Sequence, residues 1–192
     1  AATVEGEFVV DIWGGHQDAE KTRPWEEDTI IKVASTTKTM TFICALMLAD
    51  RGQLDLDAPV ANYWPEFAQN GKEGVLVRHV LAHSAGLPGF SRPFTIEEMC
   101  DWDTACEDLA GQATWWEPGT QSAYHMGTQG WLIGEVVRRI TGRSFGTYFR
   151  EEVAEKVGAD FHIGLDPKHF HRVADVLEGD KPESLDDVNT FM

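Results

Sequence analysis

Apolar and polar positions follow two periods along the chain, first that of a strand and then that of helices. Residues 4–13, Val-Glu-Gly-Glu-Phe-Val-Val-Asp-Ile-Trp, read as one strand that stops at Gly14-Gly15. The stretch from His16 to Asp28 is polar and turn-rich. From Ser35 to Arg51 the spacing turns helical, with Met40, Phe42, Ile43, Leu46, Met47 and Leu48 apolar, a Ser or Thr cap ahead and Gly52 as the stop. Apolar residues occupy most faces of that segment, which predicts a buried helix.

Helical and turn signals continue beyond it. Ala58 to Phe67 reads as a short segment broken by Pro65, and Val77 to His83 as a short helix running into Ser84-Ala85-Gly86-Leu87-Pro88. Thr95 to Leu109 opens with Thr95 and Glu98 at capping-box spacing, which predicts a single helix. A loop from Gly111 to Ala123 holds Trp115, Trp116 and the turn Glu117-Pro118-Gly119-Thr120. Gly127 to Thr141 places Trp131, Leu132, Val136 and Ile140 on a stripe before Gly142, and Ser144 to Val157 repeats the logic with Phe145, Tyr148, Phe149 and Val153. Periodicity fades after Phe161. A lone strand followed by helices is short of pairing partners.

Composition narrows the classes of function. The 192 residues carry a formal net charge of −16, which argues against nucleic acid and anionic membrane surfaces as partners. No apolar run is long enough to span a bilayer. Cys44, Cys100 and Cys106 have neither zinc spacing nor a disulfide pattern, which favours a reducing, cytoplasmic setting. His79 and His83 stand four apart on the short helix, a spacing that can hold a metal, but no third ligand accompanies them, so no metal and no organic cofactor is expected.

The sharpest chemical pattern is Ser35-Thr36-Thr37-Lys38 at the mouth of the apolar helix. Six serines and seven lysines in 192 positions give about 0.2 such spacings by chance, so the tetrapeptide by itself is weak. Its chemistry is coherent, because positions three apart share a helix face and a serine hydroxyl needs a neighbour to take its proton. Lysine does this only when neutral, which burial and the positive helix end both favour. The Ser35 N–H at the same helix end suits a developing oxyanion.

The stretch from Pro24 to Arg51, the segments GQLDLDAPVANYWPEF and VRHVLAHSAGLPGF, and EPGTQSAYHMGTQGWLIGEVVRRITG occur in an order that resembles the serine β-lactamase-like superfamily. That superfamily includes class C β-lactamases, penicillin-recognising D,D-peptidases and family VIII carboxylesterases, and this chain looks most like the last. The resemblance implies an α/β fold, here a helical region with part of an antiparallel sheet. It also implies a catalytic set of Ser35 as nucleophile with Lys38 and Tyr124 moving the proton. Tyr124-His125-Met126 matches a Tyr-x-Asn motif with Met126 in place of the amide, and a thioether cannot donate the hydrogen bond that an Asn gives a lactam carbonyl. His125 and Trp116 are candidate substrate contacts.

The resemblance also implies a late Lys-Thr-Gly triplet or a relative of it near the oxyanion site, and no Lys-Thr-Gly, Lys-Ser-Gly or His-Thr-Gly occurs. The expected organisation is thus 1–30 as the strand portion of the sheet, 31–165 as nucleophile helix and helical region, and 166–192 as an acidic tail, with a C-terminal half of the same protein needed for completion. The reaction implied is cleavage of a small-molecule ester through an acyl-enzyme. A lactamase or peptidase-like amidohydrolase is the alternative within that chemistry, and a non-catalytic half-domain is the alternative outside it.

Overall fold

The computed structural model describes residues 1–177 and divides into two compact units. The smaller holds residues 1–33 and those described from 165 onward; the larger spans residues 34–164.

In the smaller unit the expected single strand is a hairpin. Strands β1 (Ala2–Val4) and β2 (Glu7–Val10) pair antiparallel, with Thr3 opposite Phe8 and Val4 opposite Glu7. Glu5 and Gly6 turn the chain with φ of 52° and 87°, the left-handed pair that a two-residue hairpin turn requires. Farther along, Ile30 bridges Val173 in parallel, Arg23 Nη2 meets Asp175 Oδ1 at 2.9 Å, and Arg172 Nε meets Asp28 Oδ2 at 3.0 Å. A 3-10 turn over Pro167–Arg172 carries the last of these.

The larger unit is helical. Helix α1 is Thr37–Asp50, α2 is Val77–Leu81, α3 is Ile96–Cys100, α4 is Trp102–Gly111, and α5 is Gln129–Thr141. Then α6 (Phe145–Phe149) passes through a π-helical turn at Arg150–Ala154 into α7 (Glu155–Val157). Two 3-10 turns, Val60–Asn62 and Pro65–Phe67, occupy the segment interrupted by Pro65. Among the described residues no helix is long and apolar enough to cross a membrane.

Helix α1 buries a stripe rather than its whole surface. Thr41, Cys44, Ala45 and Leu48 are buried, whereas Leu46 is 52% exposed. Its Cys44 thiol is pushed up to about 12 by burial and then by Glu152, so it behaves as a small core residue. The stripe packs against α5, which also touches α2, α4 and α6 and is the hub of the unit. Leu132, Ile133, Val136 and Val137 of α5 are fully buried. At roughly 25 cal/mol per Å² of apolar surface, each such side chain stabilises the fold by about 1.5–3 kcal/mol.

The segment expected as one helix from Thr95 breaks in two. The capping box forms, with Glu98 N–H to Thr95 Oγ1 at 3.2 Å and Thr95 N–H to Glu98 Oε2 at 2.9 Å. Asp101 then leaves the helical region and accepts from the Asp103 and Thr104 amides, starting α4 afresh. A second strong N-cap inside the periodic run ends the first helix. It separates exposed Cys100 from buried Cys106, and all three cysteines are free.

Two buried charges tie these pieces together. The Lys72 ammonium, with no exposed surface, donates to the carbonyls of Gln69 (2.8 Å), Ala110 (2.9 Å) and Gln112, closing the 69–75 loop onto the end of α4. Glu135 of α5 accepts from Trp102 Nε1 (2.8 Å), Arg138 Nε (2.7 Å) and Arg139 Nε (2.7 Å). Gly134 beside it leaves room for Trp102, since a Cβ there would come within 2.5 Å of the indole.

Burial pushes the Glu135 carboxyl up, but the hydrogen bonds from Arg138, Trp102 and Arg139 outweigh it and hold the group at about 2, below its usual 4.5. A depressed carboxylate stabilises the fold above its unfolded value and loses that contribution as pH falls through the folded one. Glu135 is therefore expected to contribute on the order of 3 kcal/mol near neutrality, lost between pH 4.5 and about 2. Urea unfolding across that range checks it: Glu135→Gln should be less stable at pH 7 and show a shallower acid slope than the parent.

Candidate active site

Ser35 sits in a 3-10 turn, Ala34–Thr36, ahead of α1 rather than inside the helix. Ala34 enters that turn with φ of 43°, a left-handed conformation that side chains rarely adopt, so the nucleophile candidate follows a strained residue. Ser35 is exposed. Lys38, in the first turn of α1, is half-buried, and its Nζ donates to the Met126 carbonyl at 2.8 Å. The deep burial expected of this lysine is absent. A backbone carbonyl orients the ammonium instead.

Tyr124 arrives from the loop before α5. Interaction with Ser35 first, and then with Lys38, pulls its phenol below the ordinary phenol value, against the opposing effect of burial. Lys38 Nζ also lies 4.9 Å from the ring centroid. Groups from two distant parts of the chain thus come together, with Tyr124 47% exposed at the surface.

His125 points the other way. Its ring is fully buried, Nδ1 lies 2.7 Å from the Ala123 carbonyl, and Nε2 accepts the Leu87 N–H at 3.2 Å. A backbone amide can only donate, so Nε2 carries the lone pair and Nδ1 the proton. Burial dominates the downward pull on its pKa and keeps the imidazole neutral. Both nitrogens are occupied by main chain. The histidine expected at the substrate is therefore a brace, and Tyr124 and Met126 on either side of it face outward, Met126 being 71% exposed. The Met126 amide bonds back to the Tyr124 carbonyl at 2.8 Å, a tight turn around His125 that puts the imidazole inside and its two neighbours outside.

Trp116 is half-buried, its ring edge-on to His125 at 6.4 Å, and its buried indole N–H has no hydrogen-bond partner among the described residues. Trp115 is the exposed member of the pair, at 57%.

The loop holds its shape against the turn His83–Leu87. The Trp115 amide donates to the Gly86 carbonyl (2.8 Å), Gly119 to Ser84 (2.9 Å), and Ala123 to His83 (3.1 Å). Thr128 Oγ1 closes the series on the Leu87 carbonyl at 2.6 Å. Helix α2 ends at Leu81 and His83 has φ of 58°, so His79 and His83 do not share a helix face as their spacing suggested. Among the described residues no three His, Cys, Asp or Glu side chains cluster as metal ligands. His83 and the Met126 carbonyl adjoin these residues; the residue pattern marks His83 only by its spacing from His79 and carries no signal for the Met126 carbonyl.

Comparison with known proteins meets this geometry. The Beta-lactamase family model matches residues 1–191. The chain belongs to the β-lactamase family. The esterase/beta-lactamase LipL of Mycobacterium tuberculosis (strain ATCC 25618 / H37Rv) is 41% identical over 182 residues, covering 92% of this chain and 41% of that protein. Esterase EstB of Burkholderia gladioli is 30% identical over 171 residues, covering 80% of this chain and 43% of EstB.

A crystal structure of a family VIII carboxylesterase superposes with a TM-score of 0.83 at 45% identity, covering 88% of this chain and 47% of that one. A penicillin-binding protein homolog from Caulobacter crescentus gives 0.83 at 40% identity, covering 89% and 45%. This β-lactamase family chain thus spans less than half the length of these relatives. The fold is the β-lactamase-like one, represented by helices and a two-stranded antiparallel sheet.

Gly86 tests the loop's dependence on its template. Its φ is 77°, and a Cβ there would lie 2.8 Å from the Trp116 carbonyl oxygen and 2.9 Å from Thr114 Cβ. Gly86→Ala is expected to cost about 1–3 kcal/mol in urea unfolding. It should also return the Tyr124 phenol toward its ordinary titration by displacing the loop.

Proposed function

We propose that this chain carries the nucleophile half of a serine hydrolase that cleaves carboxylic esters through an acyl-enzyme. The observation that supports it most is the placement of Lys38, three residues after Ser35, with its Nζ 4.9 Å from the Tyr124 ring centroid and donating to the Met126 carbonyl at 2.8 Å. Ser35 Oγ attacks the ester carbonyl while Tyr124, poised by Lys38, receives the hydroxyl proton. The Ser35 N–H stabilises the oxyanion. The proton passes to the departing alcohol, and water, deprotonated through the same tyrosine and lysine, releases the acid. Trp116 and the exposed Trp115 wall the substrate side. A second oxyanion donor comes from a C-terminal half of the same protein, in keeping with the coverage of the relatives.

Ester rather than lactam preference rests on Met126. Its side chain stands exposed beside Tyr124, where a thioether offers no hydrogen bond to an amide carbonyl. The esterase named among the relatives supports the same choice.

A fluorophosphonate probe tests the nucleophile: labelling of the folded chain should vanish in Ser35→Ala. A folded chain that never labels would point to a non-catalytic half-domain. With the complete protein, Tyr124→Phe is expected to lower kcat about 10²–10⁴-fold. Comparing a short p-nitrophenyl ester with a chromogenic cephalosporin decides specificity. The ester should turn over faster, Met126→Asn should narrow the gap, and faster cephalosporin turnover by the parent would reverse the assignment.

A further inference from the structure

The proton-transfer centre needs Tyr124 held in one place, yet Tyr124 is exposed and lies in irregular chain. What fixes it is on the other side of the loop. His83 Nδ1 accepts the His125 amide at 3.1 Å, and the His83 ring meets the Tyr124 ring in an edge-on contact with centroids 4.9 Å apart. The His83 carbonyl takes the Ala123 amide (3.1 Å) and the Ser122 hydroxyl (3.3 Å). One residue therefore contacts four consecutive positions of the loop, Ser122 through His125. It does so from a left-handed backbone, φ 58°, which places its carbonyl and its ring toward the same strand of chain.

We propose that His83 is a positioning residue for Tyr124, its Nδ1 lone pair holding the His125 amide and its ring edge holding the phenol ring. The inference rests on the reading of Tyr124 as the proton-transfer group. An amide N–H only donates, so the bond requires the neutral imidazole with its proton on Nε2. Adding a proton at Nδ1 sets a donor against a donor and breaks the bond, which releases the segment that carries the phenol. The groups that face His83 are Lys38 from α1, and Tyr124 and His125 from the loop. Burial first, then His125 and Lys38, keep its pKa below the ordinary histidine value, so the neutral, loop-holding form prevails near neutrality. The device is silent at neutral pH and opens in acid.

The chain as it stands provides the test, by NMR with histidine ring, amide and tyrosine Cζ signals followed through a pH titration. Lowering the pH should move the His125 amide and the Tyr124 Cζ together, with the midpoint of the His83 ring and below 6.5. Signals from His125 and Tyr124 that stay flat while His83 titrates would overturn the proposal, and no substitution is needed to see it. Two variants then separate the contacts. His83→Asn keeps a short acceptor in a left-handed backbone that asparagine tolerates. It should remove the coupled acid step and, with the ring contact gone, return Tyr124 only part of the way toward its ordinary value. His83→Phe keeps a ring without an acceptor; it should raise the Tyr124 phenol toward 10 and slow fluorophosphonate labelling about tenfold. An unchanged Tyr124 titration in folded His83→Phe would sink the idea. Tyr124→Phe run alongside isolates the premise: wild-type labelling by that variant removes Tyr124 from the mechanism, whereas the His83 coupling is read from chemical shifts alone.

Discussion

The main chain of an irregular loop must find partners for its N–H and C=O groups, and in the larger unit that requirement decides where the chemistry sits. The segment from Trp115 to Thr128 forms no strand and borrows none. Its groups bond instead to the five residues His83–Leu87, at Gly86, Ser84, His83 and Leu87 in turn. An unpaired buried amide costs about as much as a lost hydrogen bond with its desolvation, roughly 1–3 kcal/mol. Several such bonds in series leave the loop with one arrangement. Tyr124 stands beside Lys38 on the stretch of loop that this template holds.

Rigidity behind the template comes from α5 and its neighbours. Glu135 draws Trp102, Arg138 and Arg139 onto one carboxylate, and Lys72 gathers three carbonyls at the far end of α4. Such buried charges are costly to form and costlier to break, so they specify one packing more than they add net stability. The strained Ala34 and His83 lie at the opposite extreme, on the exposed side where Ser35 and Tyr124 stand. Conformations that cost energy thus lie beside the candidate site, and the well-packed helices hold them there.

Much of the helical layout was legible because it follows local rules. Gly52 and Gly142 end α1 and α5 with φ of 67° and 69°, and the Thr95–Glu98 box starts α3. The misreadings also have local causes. At Glu5-Gly6 the alternation on both sides hides a turn pair, and at Asp101 the apolar spacing continues across a second N-cap. Ser35, Lys38 and Tyr124 are candidates by residue type and family order. The approach of Lys38 to Tyr124, the inward aim of His125 and the contribution of His83 depend on which loop bonds to which turn. No periodicity encodes that, since the partners lie some forty residues apart and speak through main-chain atoms.

The bond from the Met126 amide back to the Tyr124 carbonyl makes His125 the apex of a tight turn, so the inward imidazole and the outward phenol are set by one local bend. Transplanting the loop into another scaffold would mean carrying His83–Leu87 with it as one cassette, because the loop's main-chain bonds end on those residues.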